Sequence, residues 1–279
     1  MRAEQLTDPV AYHGEGPVWS PRWGGLRWVD MLAGDVLSLH AGGRIERRNV
    51  GAIAAAVRPR RDGGAVIGVE RGFALEDPEG EVTTLAELWS DPGVRMNEGG
   101  CDPDGRFYCG SMAYDKTPGG GKLYRLDASG NTEVVLGSVT ISNGLEWSPD
   151  GSLAYYNDTA TYRVDVFDYE TDGLTGRRPF ADVAPERPDG LTVDSEGGVW
   201  VALSSGGGVR RYTSRGVLDE VVEVAARKVT ACTFGGDGLD RLYITTSREG
   251  LEDGEDPLAG SLFTGTPGVA GMPVREFAG

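Results

Sequence analysis

The sequence is poor in the residues that build several common kinds of site. It has only two histidines, His13 and His40, among 279 residues, which excludes a three-histidine zinc site and a His-Glu-x-x-His helix. Its three cysteines, Cys101, Cys109 and Cys232, show no Cys-x-x-Cys spacing. Neither a disulfide framework nor a thiolate zinc site is therefore predicted, and a reducing compartment is expected.

Long apolar segments and an excess of basic residues are also missing. The longest apolar run, residues 52–57, is far too short to cross a bilayer, and the first ten residues lack the pattern of a secretion signal. With 27 Lys and Arg against 43 Asp and Glu, the net charge of −16 would repel nucleic acids and anionic membranes. We expect a cytoplasmic protein that binds neither; the sequence specifies no oligomeric state.

Turn residues and short β-forming segments are abundant instead. The 44 glycines and 15 prolines argue against a helical protein. A turn such as Ser-Pro-Asp-Gly, followed by a run of aromatic and β-branched residues, recurs at a period of roughly 40 to 45 residues, which is typical of propeller blades. The turn glycines that align are Gly24, Gly63, Gly105, Gly151, Gly197 and Gly238.

Six such units, each with three or four antiparallel strands, predict an all-β fold, a six-bladed β-propeller that forms a single domain over residues 1–279. A β-sandwich built from similar hairpins is the alternative, but it would not keep one phase through six repeats. Residues 4–10 and 272–277 both stand in the phase of an outer strand. Either segment could complete the last blade.

The repeat also points to a site. Because the first strand of each propeller blade lines the central channel, residues at the same offset in each repeat meet around one axis. The residues that stand eight or nine positions before the turn glycines are Glu15, Ala54, Asn97, Asn143, Asp189 and Thr230. Two carboxylates and two amides would thus converge where an apolar core is expected.

Burying carboxylates without partners is costly, so a compensating group is needed. A divalent cation held by Glu15, Asp189 and Asn143, with Asn97 as a further candidate, would supply the missing charge. Oxygen ligands favour Ca²⁺, Mg²⁺ or Mn²⁺, although Zn²⁺ and Fe²⁺ also occupy such sites. The alternative is that these side chains bind the ends of the channel strands and water fills the middle.

Five ordered motifs resemble the regucalcin/gluconolactonase family, also called the senescence marker protein family. They are Gly14-Glu15-Gly16-Pro17-Val18-Trp19, Arg95-Met96-Asn97-Glu98-Gly99, Ile141-Ser142-Asn143-Gly144-Leu145, Pro188-Asp189-Gly190-Leu191 and Cys232-Thr233-Phe234-Gly235-Gly236. The resemblance covers nearly the whole chain. It implies a six-bladed propeller that binds a metal, most simply Ca²⁺, in its channel and hydrolyses a sugar lactone.

By position, the resemblance makes Glu15, Asn143 and Asp189 metal ligands, and Arg95 and Asn97 substrate-binding residues. The chain departs from the family at Asn97-Glu98-Gly99-Gly100, where Asn-Asp-Gly-Lys is common. A glutamate that contacts substrate in one family member has no counterpart among residues 115–122. The identity of the substrate is therefore left open.

The expected chemistry is attack of metal-activated water on the ester carbonyl of an aldonolactone. Asp189 is our candidate general base, with His13 as the alternative, and Arg95 and Asn97 would bind sugar hydroxyls or the developing oxyanion. Two other functions remain open at this point. One is a phosphotriesterase-like, metal-dependent hydrolase, and the other is a calcium-binding propeller without catalysis.

Overall fold

Each of the six sequence repeats forms one four-stranded antiparallel sheet, as the turn spacing predicts. The computed structural model describes all 279 residues. We number the blades 1 to 6 from the first complete sheet in the chain. The inner strands are Gly14–Ser20, Ala54–Pro59, Val94–Cys101, Ser142–Trp147, Pro188–Val193 and Val229–Gly235.

The remaining strands follow in order outwards from the axis. The second strands are Gly25–Asp30, Ala65–Val69, Phe107–Ala113, Leu153–Asp158, Val199–Leu203 and Arg241–Thr246. The third strands are Asp35–Leu39, Gly72–Glu76, Gly121–Leu126, Arg163–Glu170, Gly208–Tyr212 and Phe263–Gly265. The outer strands are Ile45–Asn49, Val82–Thr84, Thr132–Val139, Gly173–Asp182, Leu218–Glu223 and Glu4–Gln5.

Helical structure is confined to four single turns of 3-10 helix. They are Pro21–Trp23, Met31–Ala33, Ala41–Gly43 and Thr159–Thr161. No helical segment has the length and apolarity needed to span a membrane.

The inner strands form a closed ring around the axis. Each inner strand packs against the inner strands of the two neighbouring blades, and blade 6 packs against blade 1. The N-terminal strand Glu4–Gln5 closes the ring by pairing with Phe263–Gly265. Of the two segments that the sequence offered for closure, the N-terminal one is therefore used.

Aromatic side chains fill the spaces between blades. The indole of Trp147 in blade 4 meets the ring of Tyr108 in blade 3 edge-on, with centroids 5.3 Å apart. Trp200 in blade 5 meets Phe234 in blade 6 in the same way at 5.5 Å. Trp28, Trp147 and Trp200 are fully buried, so the regular recurrence of tryptophan reflects packing between blades.

The repeated turns connect the inner strand of each blade to the second strand. Five of the six aligned glycines have the left-handed backbone conformation that glycine adopts without strain, for example Gly105 at φ 83°. Blade 6 differs, because its left-handed residues are Gly236 and Leu239 and not the aligned Gly238.

The C-terminal segment crosses these turns and covers one end of the channel. Its backbone bonds to the turns of blades 5, 6, 2 and 3, through Ser195, Leu239, Pro59 and Gly105. Side chains bridge to the other two blades, with Arg275 donating to the Ser148 carbonyl at 3.0 Å and Glu276 accepting from Arg22 at 2.5 Å. Residues 270–278 thus form a cover that touches all six blades, and segment 272–277, a possible outer strand in the sequence, is part of this cover.

We expect Phe277→Ala to lower the free energy of unfolding by about 3 to 5 kcal/mol, because Phe277 is 2% exposed and its loss leaves a cavity in the core of blades 1 to 3. Urea unfolding followed by tryptophan fluorescence measures this change. Pro273→Ala is the matched control in the same segment, since Pro273 is exposed. Equal stability of the two variants would show that the segment is not anchored through Phe277.

Candidate active site

The end of the channel opposite the C-terminal cover contains a polar cavity. Its volume is about 360 Å³. The side chains predicted from the sequence to form the site, which are Glu15, Arg95, Asn97, Asn143 and Asp189, all line this cavity. Of the six residues at the shared offset, only Ala54 is absent from the lining.

A bulge lies at the shared offset in each inner strand. The pairing between inner and second strands changes register between Glu15 and Val18 in blade 1, and between Ser142 and Leu145 in blade 4. The other four blades shift at the equivalent place. Because a bulge frees a residue from the regular alternation of side chains, it can turn the side chain toward the axis.

Two carboxylates fix the chain just before two of the site residues. Asp30, at the end of the second strand of blade 1, accepts hydrogen bonds from the backbone N–H of Tyr12 at 3.0 Å and of His13 at 2.9 Å. Asp158 in blade 4 accepts from the N–H groups of Thr140 and Ile141, both at 2.9 Å. The segments that lead to Glu15 and Asn143 are therefore held by equivalent contacts.

A chain of hydrogen bonds connects blades 3, 4 and 5 across the cavity floor. Arg95 donates to the Asn97 side-chain oxygen at 2.6 Å, and the Asn97 amide donates to Asn143 Oδ1 at 3.2 Å. The Asn143 amide donates to Thr159 Oγ1 at 2.8 Å, and the Thr159 hydroxyl donates to the Pro188 carbonyl at 2.7 Å. This series of hydrogen bonds orients the side-chain oxygen of Asn143, and it ends at Pro188, one residue before Asp189.

Glu15 and Asp189 are buried, and each has an oxygen without a hydrogen-bond donor. Glu15 is 2% exposed and Asp189 is 7% exposed, and the unpartnered atoms are Glu15 Oε2 and Asp189 Oδ1. Burial raises the pKa of Glu15 well above its usual value, and the nearby carboxylates of Asp189 and Glu98 raise it further. Burial also raises the pKa of Asp189 to about 8, with Glu98 and Glu249 adding to the shift.

These residues fit a divalent cation bound through oxygen. Unpartnered carboxylate oxygens in a buried site need a donor or a positive charge, and a cation provides the charge. The chain has no cluster of three or more His, Cys, Asp or Glu side chains that could hold a metal. A cation bound here would therefore also use an amide oxygen, for which Asn143 Oδ1 is oriented.

His13 lies beside Glu15 at the edge of the cavity. Its Nδ1 is 2.6 Å from Ser247 Oγ, and its Nε2 is 3.7 Å from Glu15 Oε1. Burial lowers the pKa of His13 to about 4. The imidazole is thus neutral at pH 7, and its hydrogen bond to Ser247 fixes the ring against Glu15.

Glu98, one of the departures from the family pattern, lies below the cavity in the covered part of the channel. It is 4% exposed, and its Oε1 is 3.5 Å from the Arg58 guanidinium. The second departure, Gly100, packs on blade 4, where an added Cβ would lie 2.7 Å from the Leu145 carbonyl oxygen. A lysine at this position would therefore require the backbone to shift.

Several residues that line the cavity were not found by sequence reasoning. They are Lys116, Thr159, Arg187, Lys228, Ser247 and Glu249. All of them lie outside the inner strands, so the offset of Glu15 does not identify them. Arg187 and Lys228 stand two positions before Asp189 and Thr230, and reading this second offset of the repeat would have found them. Their polar character gives no separate signal in a chain that is rich in surface charge.

The chain matches the family described as "SMP-30/Gluconolactonase/LRE-like region" over residues 13–248. It is 35% identical to regucalcin of Danio rerio over 280 residues, which cover 95% of each chain. It is 37% identical to the 6-deoxy-6-sulfogluconolactonase of Pseudomonas putida over 286 residues, again 95% of each chain. Both relatives therefore correspond to nearly the entire length of this protein.

A solved structure shares the whole architecture. Regucalcin from Agrobacterium tumefaciens, described as a calcium-binding protein, superposes with a TM-score of 0.93 at 30% sequence identity. The alignment covers 99% of this chain and 97% of the other. The six-bladed propeller predicted from the sequence is thereby confirmed.

In protein stripped of divalent cations by a chelator, we expect the free energy of unfolding to fall as the pH rises from about 4 to about 8. The folded-state pKa of Asp189, about 8, exceeds its ordinary value of 3.8. The folded protein thus keeps a proton that the unfolded chain has lost, and this contribution to stability disappears as the pH rises through the folded value.

Urea unfolding at a series of pH values measures this dependence, which for one proton is at most about 1.4 kcal/mol per pH unit. Asp189→Asn cannot titrate and should show a flatter profile than the parent protein. Parallel profiles for the two proteins would contradict the assignment of the shift to Asp189.

Proposed function

The chain belongs to the SMP-30/gluconolactonase/LRE-like family, and from this membership and the channel geometry we propose that it hydrolyses a sugar-derived lactone with the help of one divalent cation. The observation that carries the proposal is the pair of buried carboxylate oxygens, on Glu15 and Asp189, that have no donor. A relative whose name denotes a sugar lactone hydrolase supports the choice of reaction.

We propose Glu15, Asn143 and Asp189 as the residues that hold the cation. Their donors are all oxygen atoms, which suits Ca²⁺, and the related Agrobacterium protein is described as calcium-binding. When bound, such a cation supplies Lewis acidity to the ester carbonyl and to a water molecule in the cavity. It also offsets the charge of the two buried carboxylates.

Asp189 is the proposed general base. Its Oδ1 lines the cavity without a donor, so it can accept a proton from the attacking water and return it to the ring oxygen that leaves. The backbone of Asp189 is held in place by Asn157, whose amide donates to the Asp189 carbonyl at 2.6 Å. The carboxylate thus acts from a fixed position.

Arg95 and Asn97 are the proposed substrate-binding pair. Arg95 is 5% exposed and has no carboxylate within ion-pair distance, although its guanidinium bonds to the side-chain oxygen of Asn97. Burial lowers the pKa of Arg95, yet an arginine remains charged at neutral pH. Its charge can stabilise the negative oxygen that develops when water adds to the carbonyl.

We expect the protein to open the ring of aldonolactones in a reaction that a chelator abolishes and added Ca²⁺ restores. Release of acid, followed with a pH indicator over a panel of lactones, measures this activity. Asp189→Asn should lower kcat/KM by about 10² to 10⁴ because both general base and ligand are changed. Asp172→Asn, an exposed change in blade 4, is the matched control. Activity that is insensitive to the chelator, or normal in Asp189→Asn, would overturn the proposal.

Thr159→Val should weaken Ca²⁺ binding by about 10- to 100-fold, because the Asn143 amide loses the hydroxyl that orients it. Thr159→Ser keeps the hydroxyl and should bind close to the parent affinity. Titration calorimetry with Ca²⁺ measures both constants without depending on catalysis. If the Val and Ser variants bind Ca²⁺ equally well, Asn143 is not oriented through Thr159.

A further inference from the structure

The mouth of the cavity carries basic side chains that the proposed hydrolysis does not use. Lys116, Arg187 and Lys228 line the same cavity as Glu15 and Asp189. Lys116 and Arg187 are exposed and Lys228 is half-buried, whereas the two carboxylates are buried. The basic groups therefore lie at the open end, and the reacting groups lie deeper.

None of these three cations forms an ion pair. The Lys228 ammonium donates to the backbone carbonyl of Glu249, and the side chains of Lys116 and Arg187 have no hydrogen-bond partner. Elsewhere in this acidic chain arginines meet carboxylates closely. Arg106, for example, is 2.6 Å from Asp102. The three side chains therefore bring positive charge without a paired carboxylate to one cavity of a protein with a net charge of −16.

The backbone fixes the three cations in different blades. The Lys116 N–H donates to the Ala113 carbonyl at 2.9 Å, in the turn that follows the second strand of blade 3. The Arg187 N–H donates to Ser205 Oγ at 2.9 Å in blade 5. The Lys228 carbonyl accepts from Ser247 at 3.1 Å in blade 6. The cations approach the mouth from separate directions on anchored segments.

Acidic groups at the mouth do not cancel this charge. Glu15 and Asp189 are assigned to the cation site, so Glu249 is the one remaining carboxylate of the lining. Arg227 also lines the cavity, but it pairs with Glu255 at 2.5 Å. A cleft with excess positive charge attracts anions and binds them through charge-assisted hydrogen bonds. A neutral sugar lactone would leave this charge without a partner.

We propose that the substrate is a sugar lactone that carries an anionic group, such as phosphate, sulfonate or carboxylate, at the end remote from the ester. This inference rests on the proposed lactone hydrolysis and adds the class of substrate to it. The lactone ring lies over Asp189 and Arg95, and the anionic group is bound at the mouth by Lys116, Arg187 and Lys228.

The test compares gluconolactone with its 6-phosphate and with its 6-deoxy-6-sulfonate at low ionic strength. We expect kcat/KM to be at least about tenfold higher for one or both anionic lactones, chiefly through a lower KM, because one charge-assisted contact is worth about that factor. This preference should decline as NaCl is added, because salt screens the charges at the exposed mouth. Which anionic lactone is favoured distinguishes phosphate from sulfonate.

A second experiment removes the positive charge of single residues at the mouth. Lys116→Gln and Arg187→Gln should each lower the ratio of kcat/KM for anionic over neutral lactone several-fold. Lys122→Gln is the matched control, since Lys122 is exposed in blade 3 but does not line the cavity. The ratio is insensitive to partial loss of folded protein, which would affect both substrates equally.

The outcomes separate this inference from the proposed function. Hydrolysis of neutral lactones at a rate equal to or above that of the anionic ones, or an unchanged ratio in both Gln variants, would overturn the anionic substrate and leave lactone hydrolysis intact. Failure to hydrolyse these three lactones and every other lactone of the panel would overturn both.

Discussion

The structure depends on one electrostatic constraint, the burial of two carboxylates that each have one oxygen without a hydrogen-bond donor. Glu15 Oε2 and Asp189 Oδ1 face a cavity inside a ring of strands, and burial raises the pKa of both groups. A fold that placed such groups in an ordinary core would be destabilised by several kcal/mol. The propeller tolerates them because its axis ends in a polar cavity that can admit a cation and a substrate.

The neighbouring residues hold these carboxylates in place and leave them unneutralised. The amide of Asn157 donates to the backbone carbonyl of Asp189. A series of hydrogen bonds that runs from Arg95 to Thr159 links two side-chain amides and a hydroxyl to one another. Arg95 contributes positive charge nearby, but it forms no ion pair with either acid. The carboxyl groups are therefore free to exchange their protons for a cation, while hydrogen bonds among the neighbouring side chains set the geometry around them.

The fold and the inner part of the site could be predicted from the sequence, because both follow from one repeat. A fixed offset in each repeat identifies Glu15, Asn143 and Asp189, which the ring brings together at the axis, and bulges at that offset direct the side chains inwards. The outer part was not predicted. Lys116 lies on a connecting segment that varies between repeats, whereas Arg187 stands at a second fixed offset, whose residue type differs between blades. Closure by Glu4–Gln5 depends on the competition of two segments for one edge.

The two ends of the channel have different physical roles. At the covered end, the C-terminal segment bonds to all six blades, and the buried Glu98–Arg58 pair lies between this cover and the cavity. A molecule that reaches Asp189 must therefore pass the open end, where Lys116, Arg187 and Lys228 are located. Because a deep cleft focuses the field of the charges at its mouth, these side chains act on each molecule before the deeper groups contact it. The proposed chemistry thus depends on one offset of the repeat, whereas the proposed selection among substrates depends on residues at the open end, of which Arg187 and Lys228 stand at a second offset.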